Sequence, residues 1–365
     1  MQLKNLIQVL EKWAPLADAE DFDNVGLLVG NPQDEINKAL VTLDITDKVM
    51  EEAINEKADL IITFHPLIFK GLKRLSGASR TERLVVKAIQ NKIAIYAIHT
   101  NLDAQLDGVN GRISKQLGLV KNQILIPKKD DLNKLVFFVP HQNAEEVKNA
   151  IFATGAGTIS NYAECSFSLS GEGTFMPIGS ANPTLGELEV RHSEPETKVE
   201  ILVQSHQIKT ALRAMNEAHP YEVVAYDLIR LKNSNQNKGM GQIGELEESM
   251  TEEVFLQHIK QNLPTQCIRH SNLNGKMIKK VAVLGGSGAF GIGAAKAAGA
   301  DAYITADMKY HDFFLAENQI LLCDIGHYES EQFTKNHITH YIKEIFPNFA
   351  ILTSVTNTNP INYYI

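Results

Sequence analysis

The sequence predicts an α/β protein built on a duplicated βαβ unit, with an α+β domain of ferredoxin-like order inserted between the two copies. Three observations predict it. Short apolar runs of strand length alternate with helical patterns at both ends of the chain, the grammar of largely parallel, doubly covered sheets. Ala58-Asp59-Leu60-Ile61-Ile62-Thr63 and Ala300-Asp301-Ala302-Tyr303-Ile304-Thr305 match at Ala, Asp, Ile and Thr in one register, and each is followed by a later strand ending in a histidine, His99 and His327. Between the copies the order changes to strand, helix, strand, strand, helix, strand.

Taken in order, residues 1–13 repeat apolar side chains at helical spacing and carry charges where a signal peptide needs an unbroken apolar run, so an amphipathic helix on a core is expected. Strands are expected at 39–43, 60–63 and 93–98, with helices at 49–56 and ending at 87–90. The inserted order places strands at 134–139, 164–169, 198–203 and 223–231 and helices at 144–153 and 208–217. Pro127-Lys128-Lys129-Asp130-Asp131 opens this segment and the polar run 233–239 closes it. The boundaries so drawn are 1–128 with 240–365 for the discontinuous α/β domain and 129–239 for the insert with its linkers. The second copy supplies strands at 281–284, 302–305 and 320–323 around an Ala-rich helix.

Composition excludes several classes of function. Hydrophobic residues make up 44% of 365, enough to bury real cores. Thirty-five Lys and Arg against 43 Asp and Glu leave a net charge of −8, which repels a phosphate backbone and argues against nucleic acid as a partner. The longest uncharged stretch, 281–295, is Gly-rich and short of the roughly 20 apolar residues that span a bilayer, so no membrane segment is expected. Cys165, Cys267 and Cys323 are widely spaced with no CxxC pair, which fits a reducing cytosol and offers neither a zinc knuckle nor a disulfide framework. Cys165 and Cys323 read as buried small hydrophobes.

In open α/β sheets ligands gather beyond the carboxyl ends of the strands, and metal-competent side chains fall there. His65 ends one strand; His99 and Asp103 follow the next; Asp307 and His311 follow a third; His327 and Glu331 follow a fourth. His327 and Glu331 stand four apart at the start of a helical pattern, which stacks them on one face. A His-rich, carboxylate-containing set without cysteine suits zinc, manganese or iron, and two carboxylates, Asp103 and Glu331, are able to bridge two ions. Such a centre activates water near neutral pH, so hydrolysis is the chemistry it serves most naturally. A lone strand-end histidine is more often a hydrogen-bonded loop residue, and it is the convergence of four strand ends that favours a metal site. Gly286-Ser287-Gly288-Ala289-Phe290-Gly291 matches the dinucleotide GxGxxG pattern between a strand and a helix, yet Asp307 is its only acidic partner; a loop that approaches a substrate phosphate at Gly286, Ser287 and Gly288 is the preferred reading. His219-Pro220-Tyr221-Glu222 reads as a turn, with a small binding site as the alternative.

Asp23-Asn24-Val25-Gly26-Leu27, Ile62-Thr63-Phe64-His65-Pro66-Leu67, His99-Thr100-Asn101-Leu102-Asp103-Ala104, Gly285-Gly286-Ser287-Gly288, Asp307-Met308-Lys309-Tyr310-His311-Asp312 and Gly326-His327-Tyr328-Glu329-Ser330-Glu331 together resemble the NGG-interacting-factor-3-like family, whose bacterial members are named GTP cyclohydrolase 1 type 2 homologs. The resemblance runs over the whole chain in motif order. It implies a two-lobed α/β domain, the long bacterial form with a PII/CutA-like insert, a toroidal homohexamer, and a dinuclear centre of divalent ions, one or two per chain with zinc first. By position the ligands would be His65, Asp103, His327 and Glu331; Glu331 or His99 would shuttle protons, and Asp307 and His311 would support or substitute. The family usually shows two adjacent histidines before the proline, and here the first is Phe64, which weakens one metal position. The family name implies ring opening of GTP with release of formate, and a nucleotide as the small-molecule substrate. The alternative is a non-catalytic metal-binding regulatory or sensor hexamer that acts through its PII-like insert.

Overall fold

The computed structural model describes residues 1–364, which divide into two compact units, one made of the chain up to Pro127 and from Gln236 on, the other of Lys128–Asn235. In chain order the strands of the first half are β1 (Gly26–Val29), β2 (Lys38–Thr42), β3 (Leu60–Thr63), β4 (Ala94–Ala97) and β5 (Val120–Lys128). The middle of the chain adds β6 (Leu132–Pro140), β7 (Ser166–Phe175), β8 (His192–Gln204) and β9 (Tyr226–Arg230). The last stretch adds β10 (Asn235–Thr251), β11 (Arg269–His270), β12 (Met277–Ser287), β13 (Ala302–Ala306), β14 (Leu321–Asp324) and β15 (Ala350–Thr353).

The larger unit carries two sheets, ordered β1-β4-β3-β2-β15 and β11-β14-β13-β12-β10-β5. In each, three consecutive strands run parallel, β2-β3-β4 in one and β12-β13-β14 in the other. In each, a short antiparallel strand closes the edge beside the last of the three, β1 on β4 and β11 on β14. The two matching segments of sequence thus form β3 and β13, the middle strands of equivalent triplets. The sheets are largely parallel as expected at their centres, and the edges differ because a strand as short as Arg269–His270 reaches the sheet without a crossover helix.

Period-two alternation explains the burial. Leu60, Ile62 and Phe64 enter the same cluster as Val281, Val283, Ala302 and Ile304, while Ile61 and Ile95 face a second cluster with Leu84 and Val85 of the helix Arg80–Gln90. Ala282, Tyr303 and Leu322 face a third, so the parallel strands are covered on both sides. The helix Leu3–Trp13 buries Leu3, Leu6, Leu10 and Trp13, one stripe at helical spacing. Thr46 and Ser79 cap the helices Asp47–Asn55 and Arg80–Gln90 by accepting from the amides of Val49 and Glu82.

The smaller unit has one antiparallel sheet, β7-β8-β6-β9, which with the helices Ala144–Phe152 and Ile208–Ala218 is the split βαβ arrangement. Leu135, Phe137, Val139, Val199, Ile201 and Val203 pack on Val147, Ile151, Ala211 and Met215 of the helices. Cys323 is fully buried, whereas Cys165 is half-buried just before β7, because β7 is an exposed edge strand rather than a core strand. Among the described residues no helix is long and apolar enough to cross a membrane.

Candidate metal centre

Three ligand atoms converge where the parallel strands end. His65 Nε2 and His327 Nε2 lie 3.3 Å apart, and Glu331 Oε2 lies 3.1 Å from each of them. His65 is carried by the turn after β3, where Thr63 Oγ1 donates to the His65 carbonyl at 2.8 Å. His327 and Glu331 form one turn of the short helix His327–Glu331 that follows β14, four residues apart on one face as the spacing predicts.

The far side of each imidazole is held by a carboxylate. His65 Nδ1 donates to Asp44 Oδ1 at 2.9 Å, and His327 Nδ1 donates to Asp307 Oδ2 at 2.7 Å. Ser287 Oγ also donates to Asp307 Oδ2, at 2.5 Å. With both Nδ1 protons committed, two Nε2 lone pairs and a carboxylate oxygen face one another. Glu331 is buried, and its Oε2 lies off the line of a good hydrogen bond to either histidine. Three acceptors at contact distance repel unless protons or a cation stand between them. Without a cation the histidines take the protons. Burial opposes the charge on His65, but Glu331 and Asp44 outweigh it and raise its pKa to about 10; for His327 the same balance of burial against Glu331 and Asp307 gives about 9. Burial likewise opposes the Glu331 charge, and the two histidines overcome it and lower its pKa.

The donors fit a metal ion. Ligands about 2.0–2.1 Å from a tetrahedral ion stand roughly 3.3 Å apart, which is the edge length of this triangle. Histidines whose second nitrogen is tied to a carboxylate are the usual ligands of such ions.

The remaining sequence-predicted residues fall around this triangle without joining it. Asp103 is buried, its Oδ1 has no hydrogen-bond partner, and burial and then the Glu331 charge raise its pKa well above the carboxylate range. His99 stacks edge-on to His65 with ring centroids 5.1 Å apart, and its Nδ1 lies 2.9 Å from Asp23 Oδ2. Asp307 supports His327 from behind. His311 is exposed and packs against Tyr310 and Phe314 instead. Gly286 adopts φ +66° and a Cβ there would fall on Glu331 Oε1, so only glycine lets β12 pass the cluster. Its amide donates to Ser330 Oγ at 3.0 Å, and Thr305 Oγ1 occupies the place of a Cβ on Gly288. Phe64 is fully buried beside His65 and meets the His99 ring edge-on at 5.2 Å.

Two supporting residues escaped the sequence reading. Asp44 lies two residues past β2, and only its place at the end of a parallel strand marks it. Asp324 ends β14, accepts from the Met308 amide at 2.9 Å and pairs with Arg269, fixing the loop that carries Asp307.

A Bacillus subtilis (strain 168) protein named GTP cyclohydrolase 1 type 2 homolog is 36% identical over 369 residues, covering 99% of this chain and 98% of its own. The crystal structure of a Bacillus cereus protein related to NIF3 superposes with a TM-score of 0.84 at 35% identity over 100% of this chain and 99% of that one. A Staphylococcus aureus crystal structure gives a TM-score of 0.79 at 30% identity, with the same coverage. The Duf34/NIF3 (NGG1p interacting factor 3) family model matches residues 1–360, and the chain belongs to that family.

Proposed function

We propose that this protein is a metal-dependent hydrolase of a nucleotide, with His65, His327 and Glu331 holding a divalent ion and GTP, the compound in its relatives' name, as the first substrate to test. The observation that carries the reading is the triangle of three ligand atoms at 3.1, 3.1 and 3.3 Å, with a carboxylate behind each histidine. A bound divalent ion, zinc first, supplies Lewis acidity that polarises a substrate oxygen and lowers the pKa of water. Asp44 and Asp307 orient the imidazoles. Asp103 offers a buried, unpartnered oxygen as the donor for a second ion, while Phe64 contributes none, so one ion is held more tightly than the other. His99, oriented by Asp23, keeps Nε2 for proton exchange with substrate. In the loop that would meet a substrate phosphate, the Gly286 amide is committed to Ser330, which leaves Ser287 and Gly288 to make that contact. The working form in this reading is a cytosolic homohexamer with the smaller unit as a PII/CutA-like lobe, to be checked by sedimentation.

The test pairs metal content with turnover. Protein purified without chelator should carry about one to two ions per chain by plasma mass spectrometry. The loaded protein should release formate from GTP, or product from a panel of nucleotides and phosphoesters. Metal binding with no product from any of them would overturn the hydrolase and leave the alternative, a metal-binding sensor, which Phe64 in place of a donor already favours.

A further inference from the structure

The smaller unit holds a cavity of about 660 Å³, within the range of small-molecule sites. Its floor is the face of the antiparallel sheet turned away from the helices. Phe137 and Val139 pack into the helical core, so Phe138 between them points the other way, and β8 places Glu196 and Lys198 on that same face. Its walls are the long excursion between β7 and β8 and the turn before β9. Asn182 N donates to Glu222 Oε2 at 3.0 Å and Thr184 Oγ1 donates to the Pro220 carbonyl at 2.7 Å, which ties the two walls together.

The polar groups in this cavity are built, not incidental. His219 Nε2 donates to the Phe138 carbonyl at 2.9 Å, and its Nδ1 accepts from the Tyr221 amide at 3.1 Å. This fixes Tyr221, whose hydroxyl donates to Glu196 Oε1 at 2.9 Å. Glu196 is only 8% exposed, yet its Oε2 accepts no hydrogen bond from any described residue. A Cβ at Gly173 would fall on that oxygen, so the glycine leaves it reachable. That oxygen keeps a small opening to the cavity, and a carboxylate oxygen so largely enclosed gains from an N–H donor that a ligand brings in. Lys198 does not supply that donor, because its Nζ donates to Glu200 Oε1 at 2.8 Å. Phe138, Phe175 and Tyr221 give the cavity aromatic walls.

We propose that this cavity binds a small aromatic cation, a flat ring bearing an amine or amidine, with its N–H groups on Glu196 Oε2 and its ring among Phe138, Phe175 and Tyr221. The inference stands apart from the metal centre and needs no turnover to test.

The experiment uses the full-length protein and three probes of that class, benzamidine, phenethylamine and 2-aminobenzimidazole, with benzoate as the ring-matched anion. Calorimetry should show saturable binding of at least one cation and none of benzoate. Glu196→Gln should weaken that binding about tenfold or more, the usual effect of losing a charge-assisted hydrogen bond. Ala225→Trp, which fills the cavity from its wall, should abolish it while metal content and circular dichroism stay unchanged. Hydrogen exchange should slow at 171–177 and 220–225. Failure of all three cations to bind, equal binding of benzoate, binding indifferent to both substitutions, or protection elsewhere would each overturn the proposal.

Discussion

Asp44 Oδ1 accepts the Nδ1 proton of His65 at 2.9 Å, and this one bond decides which nitrogen of His65 faces Glu331. Asp44 is also held from behind, since Thr358 Oγ1 donates to its Oδ2 at 2.9 Å. Replacing it by asparagine keeps the shape and removes the charge that makes the imidazole basic. Asp44→Asn should weaken zinc binding about 10- to 100-fold, read by competition with a chelating dye. Asp307→Asn should cost less, because Asp307 is exposed and solvent shares its work. Equal affinity in Asp44→Asn and the native protein would show that the carboxylate does not orient a ligand.

Glu331 carries the charge of the triangle. If the three atoms bind a cation, zinc added at a hundred times its dissociation constant should stabilise the native protein by about 2.7 kcal/mol, and chelator should reverse the gain. Glu331→Ala should lose the response and the metal content together. A melting temperature that rises equally with zinc in both proteins would place the ion elsewhere.

Much of this was legible in the sequence because period and position are local properties. The runs around Leu60 and Ala302 declared parallel strands, and the spacing of His327 and Glu331 declared a shared helix face. What brings His65 to His327 across 262 residues is the packing of two sheets on a common cluster, and no local pattern encodes that. Asp44 stayed hidden for the same reason, being an ordinary strand-end residue until His65 is placed beside it. The edge strand β11 was missed because two residues carry no periodic signal. His311 looked equivalent to the other strand-end histidines, but the chain there turns it outward onto Tyr310.

Phe64 separates the two readings of function. Its ring is fully buried and touches His99, so the position faces the same pole as the ligands while adding no donor. Phe64→His should destabilise the metal-free protein by about 2 kcal/mol, because a smaller polar ring replaces a packed apolar one. The same change should raise the number of ions bound per chain, and zinc should recover part of the lost stability. Unchanged stoichiometry, with the stability loss intact, would mean that position 64 does not reach a metal.

Asp23 gives the clearest dependence on pH. It lies 2.9 Å from His99 Nδ1, accepts from Thr100 Oγ1 at 2.6 Å and from the Thr100 amide at 3.1 Å, and its side chain is shielded from solvent. Burial works against its charge, but His99 and Thr100 outweigh burial and lower its pKa from 3.8 to about 2. A lowered carboxylate contributes stability that is complete above the unfolded value and lost as pH falls toward the folded one, here worth about 2 kcal/mol. Asp23→Asn should therefore be less stable than the native protein by about that amount at pH 7, and the gap should close between pH 3.8 and about 2. Denaturant titrations of the pair across that range measure it directly. A gap that stays constant down to the lowest pH would mean the substitution costs packing or hydrogen-bond geometry, and that the Asp23 charge does not hold His99 in place.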